Sequence, residues 1–315
     1  MRVISAQVLG TDGTLLEAFR HHLIARDLAP TTIRAYLSDL EQFRTWLAGV
    51  HEGTPPRLTQ VRTVDLAAFR TYVIHEQAYT PATVNRRLQG LRLMFRWLYD
   101  HGGIAENPAT YLRFMRKAPA QQPQALTRRE ILALVHAAAQ SPHRLGPRNV
   151  ALIQLMLQAG LRVGEVTALT HADVRLSARA GTVHIRDGKG RKARDVPLNT
   201  TARQALQAYV ETVPAVPAQT PVFLSKRGTP LAVRSVQAVV AQLTKHAGIQ
   251  RLPVSAHTLR HTFAVYYLQG HPGKLRDLAA LLGHESLDTT AVYTRPSHDT
   301  MAEDLERSPL NVFRI

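Results

Sequence analysis

Between Ala105 and Thr127 the sequence reads AENPATYLRFMRKAPAQQPQALT, with Pro108, Pro119 and Pro123 set among glutamines and alanines. Proline has no amide hydrogen to give and clashes with the preceding turn, so such a tract neither continues a helix nor joins a sheet interior. It reads as an extended connector. The chain of 315 residues is thereby divided into two blocks, each of which must bury a core of its own. The expected division is a first domain over 12–105, a connector over 106–125 and a second domain over 126–315.

The first block is helical throughout. Leu16, Phe19 and Leu23, then Ile33, Leu37, Leu40 and Phe43, recur at helical spacing. Pro30 and Thr31 mark one helix start, VRTVDLAAFRTYVIHEQ reads as a third helix, and a fourth runs from Thr80-Pro81 to Gly102-Gly103. In that fourth helix Val84, Leu88, Leu91, Phe95 and Leu98 form the apolar stripe. Arg86, Arg87, Arg92 and Arg96 occupy its other faces.

The second block is also mainly helical, in TRREILALVHAAAQ, in RNVALIQLMLQAGLRVGEVTALT and again from Arg203 and Ser235 onward. GTVHIRDGKGRKARDVPLN is the one strong hairpin, two short strands around Asp187-Gly188-Lys189-Gly190. The fold class that follows is mainly α, with a helical first domain and a mixed α+β second domain carrying a small hairpin or sheet.

Charge narrows the class of partner. Thirty-nine Lys+Arg against 23 Asp+Glu give a net charge of +16, and a polyanion, most commonly nucleic acid, is the natural partner of such a surface. On that ground the four arginines of the fourth helix read as facing DNA rather than as a solvated face. No run of about 18 apolar residues occurs, so no membrane-spanning helix is expected. The absence of cysteine excludes a disulfide scaffold, a thiol nucleophile and a cysteine zinc site. With no signal-peptide pattern at the N-terminus, a cytoplasmic address is expected.

Four stretches of the second block carry chemistry. In AGLRVGEV, Arg162 follows Gly160 and Glu165 lies one turn on, either a plain surface pair or an anion-binding arginine held by its carboxylate. Lys189 stands at a glycine-flanked turn, either a solvated turn lysine or one able to reach a substrate. SAHTLRHTFA gathers His257, Arg260 and His261 within about a turn of helix, where like charges repel unless an anion or a metal compensates. The helical zinc motif HExxH needs a glutamate where Thr258 stands, and Arg260 beside a metal ion is unfavourable, so an anion is the better answer and no metal or cofactor is expected. Finally LLGHESLDTTAVYTR places His284 after Gly283 and Tyr293 on the helix beyond.

Taken in order, AGLRVGEV, HTLRHTFA and LLGHESLDTTAVYT resemble the tyrosine recombinase (phage integrase) family, in particular its short Xer-like branch. The resemblance covers nearly the whole chain, although Ala256 and Gly164 depart from the branch's usual residues. It implies a SAM-like, four-helix core-binding domain followed by the family's catalytic domain. It implies that Arg162 and Arg260 clamp the scissile phosphate, and that Lys189 protonates the leaving 5′ oxygen. It makes His257 and His284 the active-site histidines and Tyr293 the nucleophile. Glu165 would support the site and His261 would play a supporting part.

The activity implied is site-specific cleavage and rejoining of double-stranded DNA at core sites, without metal or ATP. The protein would be a monomer in solution and a homo- or hetero-tetramer on two sites. A type IB topoisomerase-like enzyme and a catalytically silent DNA-binding regulator on the same fold are the alternatives. Pro309 is expected to end the last helix; beyond it Leu310, Val312, Phe313 and Ile315 either fold back on their own domain or dock on a neighbouring protomer, and the resemblance favours the second.

Overall fold

The computed structural model describes residues 10–51, 55–116, 124–142, 145–186, 193–283 and residue 290. The chain forms two compact units, Met1–Ala120 and Gln121–Ile315.

Among the described residues four α-helices build the first unit: α1 (Asp12–Ala25), α2 (Pro30–Val50), α3 (Thr63–His75) and α4 (Pro81–Asp100). Local chemistry sets their starts. The Thr11 and Thr80 hydroxyls accept from the amides of Thr14 and Thr83, and Pro30 and Pro81 open α2 and α4, where a missing amide costs nothing. Each helix sends one fully buried phenylalanine into a shared core: Phe19, Phe43, Phe69 and Phe95. The Phe43 ring meets that of Phe69 at 5.0 Å and that of Phe95 at 6.5 Å, both edge-on, as ring quadrupoles prefer.

Residues 106–116 of the expected connector are placed on this unit. Ala109 and Leu112 are buried in its core. The Asn85 side chain makes two bonds to the Met115 backbone, at 2.9 and 2.7 Å, and Arg70 Nε donates to the Arg113 carbonyl at 2.8 Å. Arg92 donates to the Leu112 carbonyl and lies 4.0 Å from the centre of the Phe114 ring. The fourth helix ends at Asp100, well before Pro108, and the side chains of Asn85 and Arg70 then bond the extended backbone. Residues 117–123 lie outside the described residues.

The second unit is arranged around α6 (Leu145–Gln158), every residue of which from Ala151 to Leu157 is buried. Packed against it are α5 (Arg128–Ala139), α8 (Thr200–Val210), α9 (Val233–His246) and α10 (Ala256–Gly270). The short α7 (Val163–Ala168) follows α6, and α11 (Leu275–Leu282) packs on α10. A three-stranded antiparallel sheet of β1 (Val174–Leu176), β2 (Gly181–Ile185) and β3 (Arg194–Pro197) runs in the order β1-β2-β3. Val183 is paired with Val174 on one side and Val196 on the other. The expected hairpin is β2–β3, and its turn, 187–192, is outside the described residues. The third strand, β1, has only three residues, Val-Arg-Leu, too short a run for its alternation to announce it. Among the described residues no helix is long and apolar enough to cross a membrane.

Candidate active site

The site begins where α6 stops. Gly160 takes a left-handed φ of +63°, and a Cβ there would lie 2.4 Å from the Phe263 ring, so only glycine lets the chain turn against α10. The turn delivers Arg162 to the start of α7. Glu165, in the first turn of that helix, accepts from the Arg162 amide at 2.8 Å and from Arg162 Nη1 at 2.8 Å. The Glu165 side chain is 6% exposed, which removes the surface-pair reading. Arg260 comes from the first turns of α10, whose start is capped by the Ser255 hydroxyl. It is buried, donating to the Gly160 carbonyl at 2.6 Å, and its Nη1 lies 3.9 Å from Glu165 Oε2.

A third guanidinium completes the group. Arg194, at the head of β3, sets both terminal nitrogens against the two Glu165 oxygens at 3.0 Å each. The three arginines also share the end of α11. Arg194 Nε donates to the Leu281 carbonyl at 3.0 Å, Arg260 Nη2 to Leu282 at 2.7 Å and Arg162 Nη2 to Gly283 at 3.1 Å. These are carbonyls that a helix C-terminus leaves without intrahelical partners, at the negative end of its dipole.

One carboxylate and three guanidinium groups leave a surplus of positive charge. Burial alone would push the Glu165 carboxyl up, but bonds from Arg194 and Arg162 outweigh it and hold the group below the usual glutamate value. His257, one turn ahead of Arg260, keeps solvent access. The protein packed around its ring, then Arg260 and Arg162, push its pKa down. The His261 ring meets that of His257 at 4.3 Å, and burial followed by His257 and Arg260 lowers it to about 4. Both imidazoles are therefore neutral near pH 7 and able to take a proton. Fixed guanidinium donors beside neutral imidazoles suit a tetrahedral oxyanion that gains charge as it reacts.

Arg162, Glu165, His257, Arg260 and His261 thus come together. Lys189, His284 and Tyr293 lie outside the described residues, as does the C-terminal tail. In the first unit, Arg86 is bonded to Asp39. Arg87 is buried, 3.8 Å from Asp39 and 3.8 Å over the Tyr79 ring. Arg92 is engaged as described, and the exposed Arg96 is paired with Asp100 at 2.8 Å.

Sequence reasoning missed Arg194. Its signal was its phase: Arg194 shares the inward face of β3 with Val196, and an arginine on a buried strand face needs an anion opposite. The surrounding run RKARD concealed it among other basic residues.

Known proteins give an independent comparison. Residues 124–299 match the profile described as the Phage integrase family, and residues 16–102 match the Phage integrase, N-terminal SAM-like domain. Tyrosine recombinase XerC of Xanthomonas campestris pv. campestris (strain B100) is 36% identical over 299 residues, covering 93% of this chain and 88% of that protein. Tyrosine recombinase XerC of Pelobacter propionicus is 33% identical, covering 93% and 94%. Among solved structures, XerH site-specific recombinase bound to palindromic difH substrate, a post-cleavage complex, superposes with a TM-score of 0.72 at 22% identity, covering 94% of this chain and 84% of that one. The Tn1549 transposon integrase in complex with circular intermediate DNA gives 0.70 at 20% identity, covering 94% and 99%.

Proposed function

We infer the reaction from one premise: the chain belongs to the phage integrase family and is a tyrosine site-specific recombinase. Its substrate is double-stranded DNA carrying a core site. Tyr293 attacks the scissile phosphorus, forming an O–P bond to the tyrosine and breaking the bond to the 5′ oxygen. The product is a 3′-phosphotyrosyl link that preserves the energy of the phosphodiester for rejoining.

Arg162 and Arg260 neutralise the non-bridging oxygens as charge builds on them. A tyrosine with an ordinary pKa near 10 must lose its proton as it attacks, and neutral His257 accepts it. Lys189 supplies the proton to the departing 5′ oxygen, and His284 adds a hydrogen bond to the phosphate. The first unit binds the duplex beside the core site, and four protomers assemble on two sites. The work is done in the cytoplasm, where the DNA is.

The observation that carries this reading is the Glu165-held group of Arg162, Arg194 and Arg260 beside neutral histidines. The relatives do not favour the topoisomerase-like or silent-regulator alternatives. The test is covalent capture. The protein is incubated with sheared DNA of its source organism and denatured in SDS, and protein-bound fragments are sequenced. Recovery of one recurrent junction by the native protein, and of none by Tyr293→Phe, is expected. Equal recovery with both would overturn Tyr293 as nucleophile, and no adduct with either would overturn the reaction.

A further inference from the structure

We propose that Arg194 is a positioning residue of the active site: it saturates Glu165 so that the charges of Arg162 and Arg260 remain available to the scissile phosphate. The proposal rests on the recombinase reading above.

A carboxylate offers about four lone-pair directions, and whichever arginines fill them are turned toward it. Arg194 fills two of these with a fork of matched 3.0 Å bonds, the geometry in which guanidinium and carboxylate fit best. The Arg162 amide and Nη1 fill two more, and Arg260 is kept at 3.9 Å, beyond hydrogen-bonding distance. Remove Arg194, and the vacated lone pairs face the two guanidinium groups meant for phosphate. Either one satisfies the carboxylate by turning inward.

The surroundings of Arg194 show that its place is built rather than incidental. Its side chain is 12% exposed, too little for a solvated strand residue. Its Nε anchors the Leu281 carbonyl, and its guanidinium passes beneath Gly283. That glycine holds a φ of +62°, and a Cβ there would lie 2.8 Å from Arg194 Nη1. Any other residue at 283 collides with the arginine as well as straining the backbone. Arg194 also opens the strand that leaves the Lys189 turn, and Leu281 stands three residues before His284. One side chain therefore joins the strand after the lysine, the carboxylate under the first arginine and the helix end before the second histidine.

The test uses the full-length protein and a nicked duplex carrying the junction recovered by covalent capture, so a failure of the recombinase reading appears first, as absence of native adduct. Arg194→Met is expected to slow single-turnover adduct formation roughly 10- to 100-fold, the usual cost of losing a group that orients another ligand-binding side chain. Affinity for the duplex should change less than about threefold, since phosphate contacts elsewhere supply binding.

Two readouts separate positioning from mere folding. Losing the fork raises the Glu165 pKa, so the acidic limb of the rate profile moves to higher pH. The losses in Arg194→Met and Glu165→Gln should also fail to multiply in the double variant, because both act through one contact. If Arg194→Met does not fold, Arg194→Lys, which keeps the charge and loses the fork, carries the same measurements with a smaller loss. An adduct rate within threefold of native in the folded variant, or fully multiplicative losses, would overturn the proposal.

Discussion

Asp39 in the first unit and Glu165 in the second are both buried carboxylates with more than one arginine close by, yet their pKa values move in opposite directions. Asp39 is bonded by Arg86, while Arg87 stands 3.8 Å off with its Nε and Nη1 buried and without hydrogen bonds. Burial wins there, and the Asp39 carboxyl is pushed up. Glu165 receives a full fork from Arg194 and two bonds from Arg162, and its carboxyl is pushed down. Proximity of charge is common to both; hydrogen-bond geometry is not, and it decides the outcome. In the first unit Arg86 and Arg87 share Asp39 without a fork. In the second the arginines are held in a fixed array with positive charge to spare.

The largest expected effect tests that contrast directly. Arg260→Ala should slow adduct formation on the order of 100- to 1,000-fold, the usual cost of removing a preorganised oxyanion donor. Arg87→Ala should leave the rate from the bound complex within about threefold, because a packing arginine has no part in the transition state. Comparable losses in the two variants, measured by single-turnover trapping, would erase the distinction.

Next in size is the stability of the first unit. Arg92→Ala removes a charge-assisted bond to the Leu112 carbonyl and a stacked ring, and should cost about 1–3 kcal/mol. Both tryptophans, Trp46 and Trp97, belong to this unit, so their fluorescence in a urea titration reports it alone. An unchanged midpoint would mean the 106–116 segment holds itself in place.

Acid should separate the units less dramatically. Glu165 has a lowered pKa in the folded state, so its stabilisation is complete above the ordinary glutamate value and is lost as pH falls through the folded one. His261, lowered to about 4, acts in the same sense: stability falls as pH drops from the ordinary histidine value toward that figure. Asp39, raised, has the opposite sign and favours folding at low pH. The second unit should therefore lose helix first between neutrality and pH 4, seen as far-UV circular dichroism falling before tryptophan fluorescence changes. Coincident transitions would mean the units share one acid-sensitive element. The smallest effect is local. Trypsin should spare Arg113 in the native protein and cut there faster in Arg70→Ala, which loses the 2.8 Å bond to its carbonyl.

Much of this was legible from residue order. The prolines that open α2 and α4 and the glycine that follows α6 are local signals, and local chemistry decided them. Arg162, Glu165, His257 and Arg260, which the structure brings together, stand out in the sequence because their motifs are short. What escaped depended on contacts between distant parts. Arg92 lies on the polar side of α4 in any helical projection, and only the returning segment at 112–114 covers it. Arg194 meets Glu165 across 29 positions, a pairing that no spacing rule anticipates.

The end of α11 has one more consequence, a mechanical one. The carbonyls of Leu281, Leu282 and Gly283 each accept a hydrogen bond from a different arginine, and those arginines stand on three different elements. Hydrogen bonds weaken steeply with misalignment, so sliding this helix end by an ångström unseats all three side chains in one movement rather than in succession. Tension on the chain beyond Gly283 is thus felt as a single latch, engaged or released as a whole.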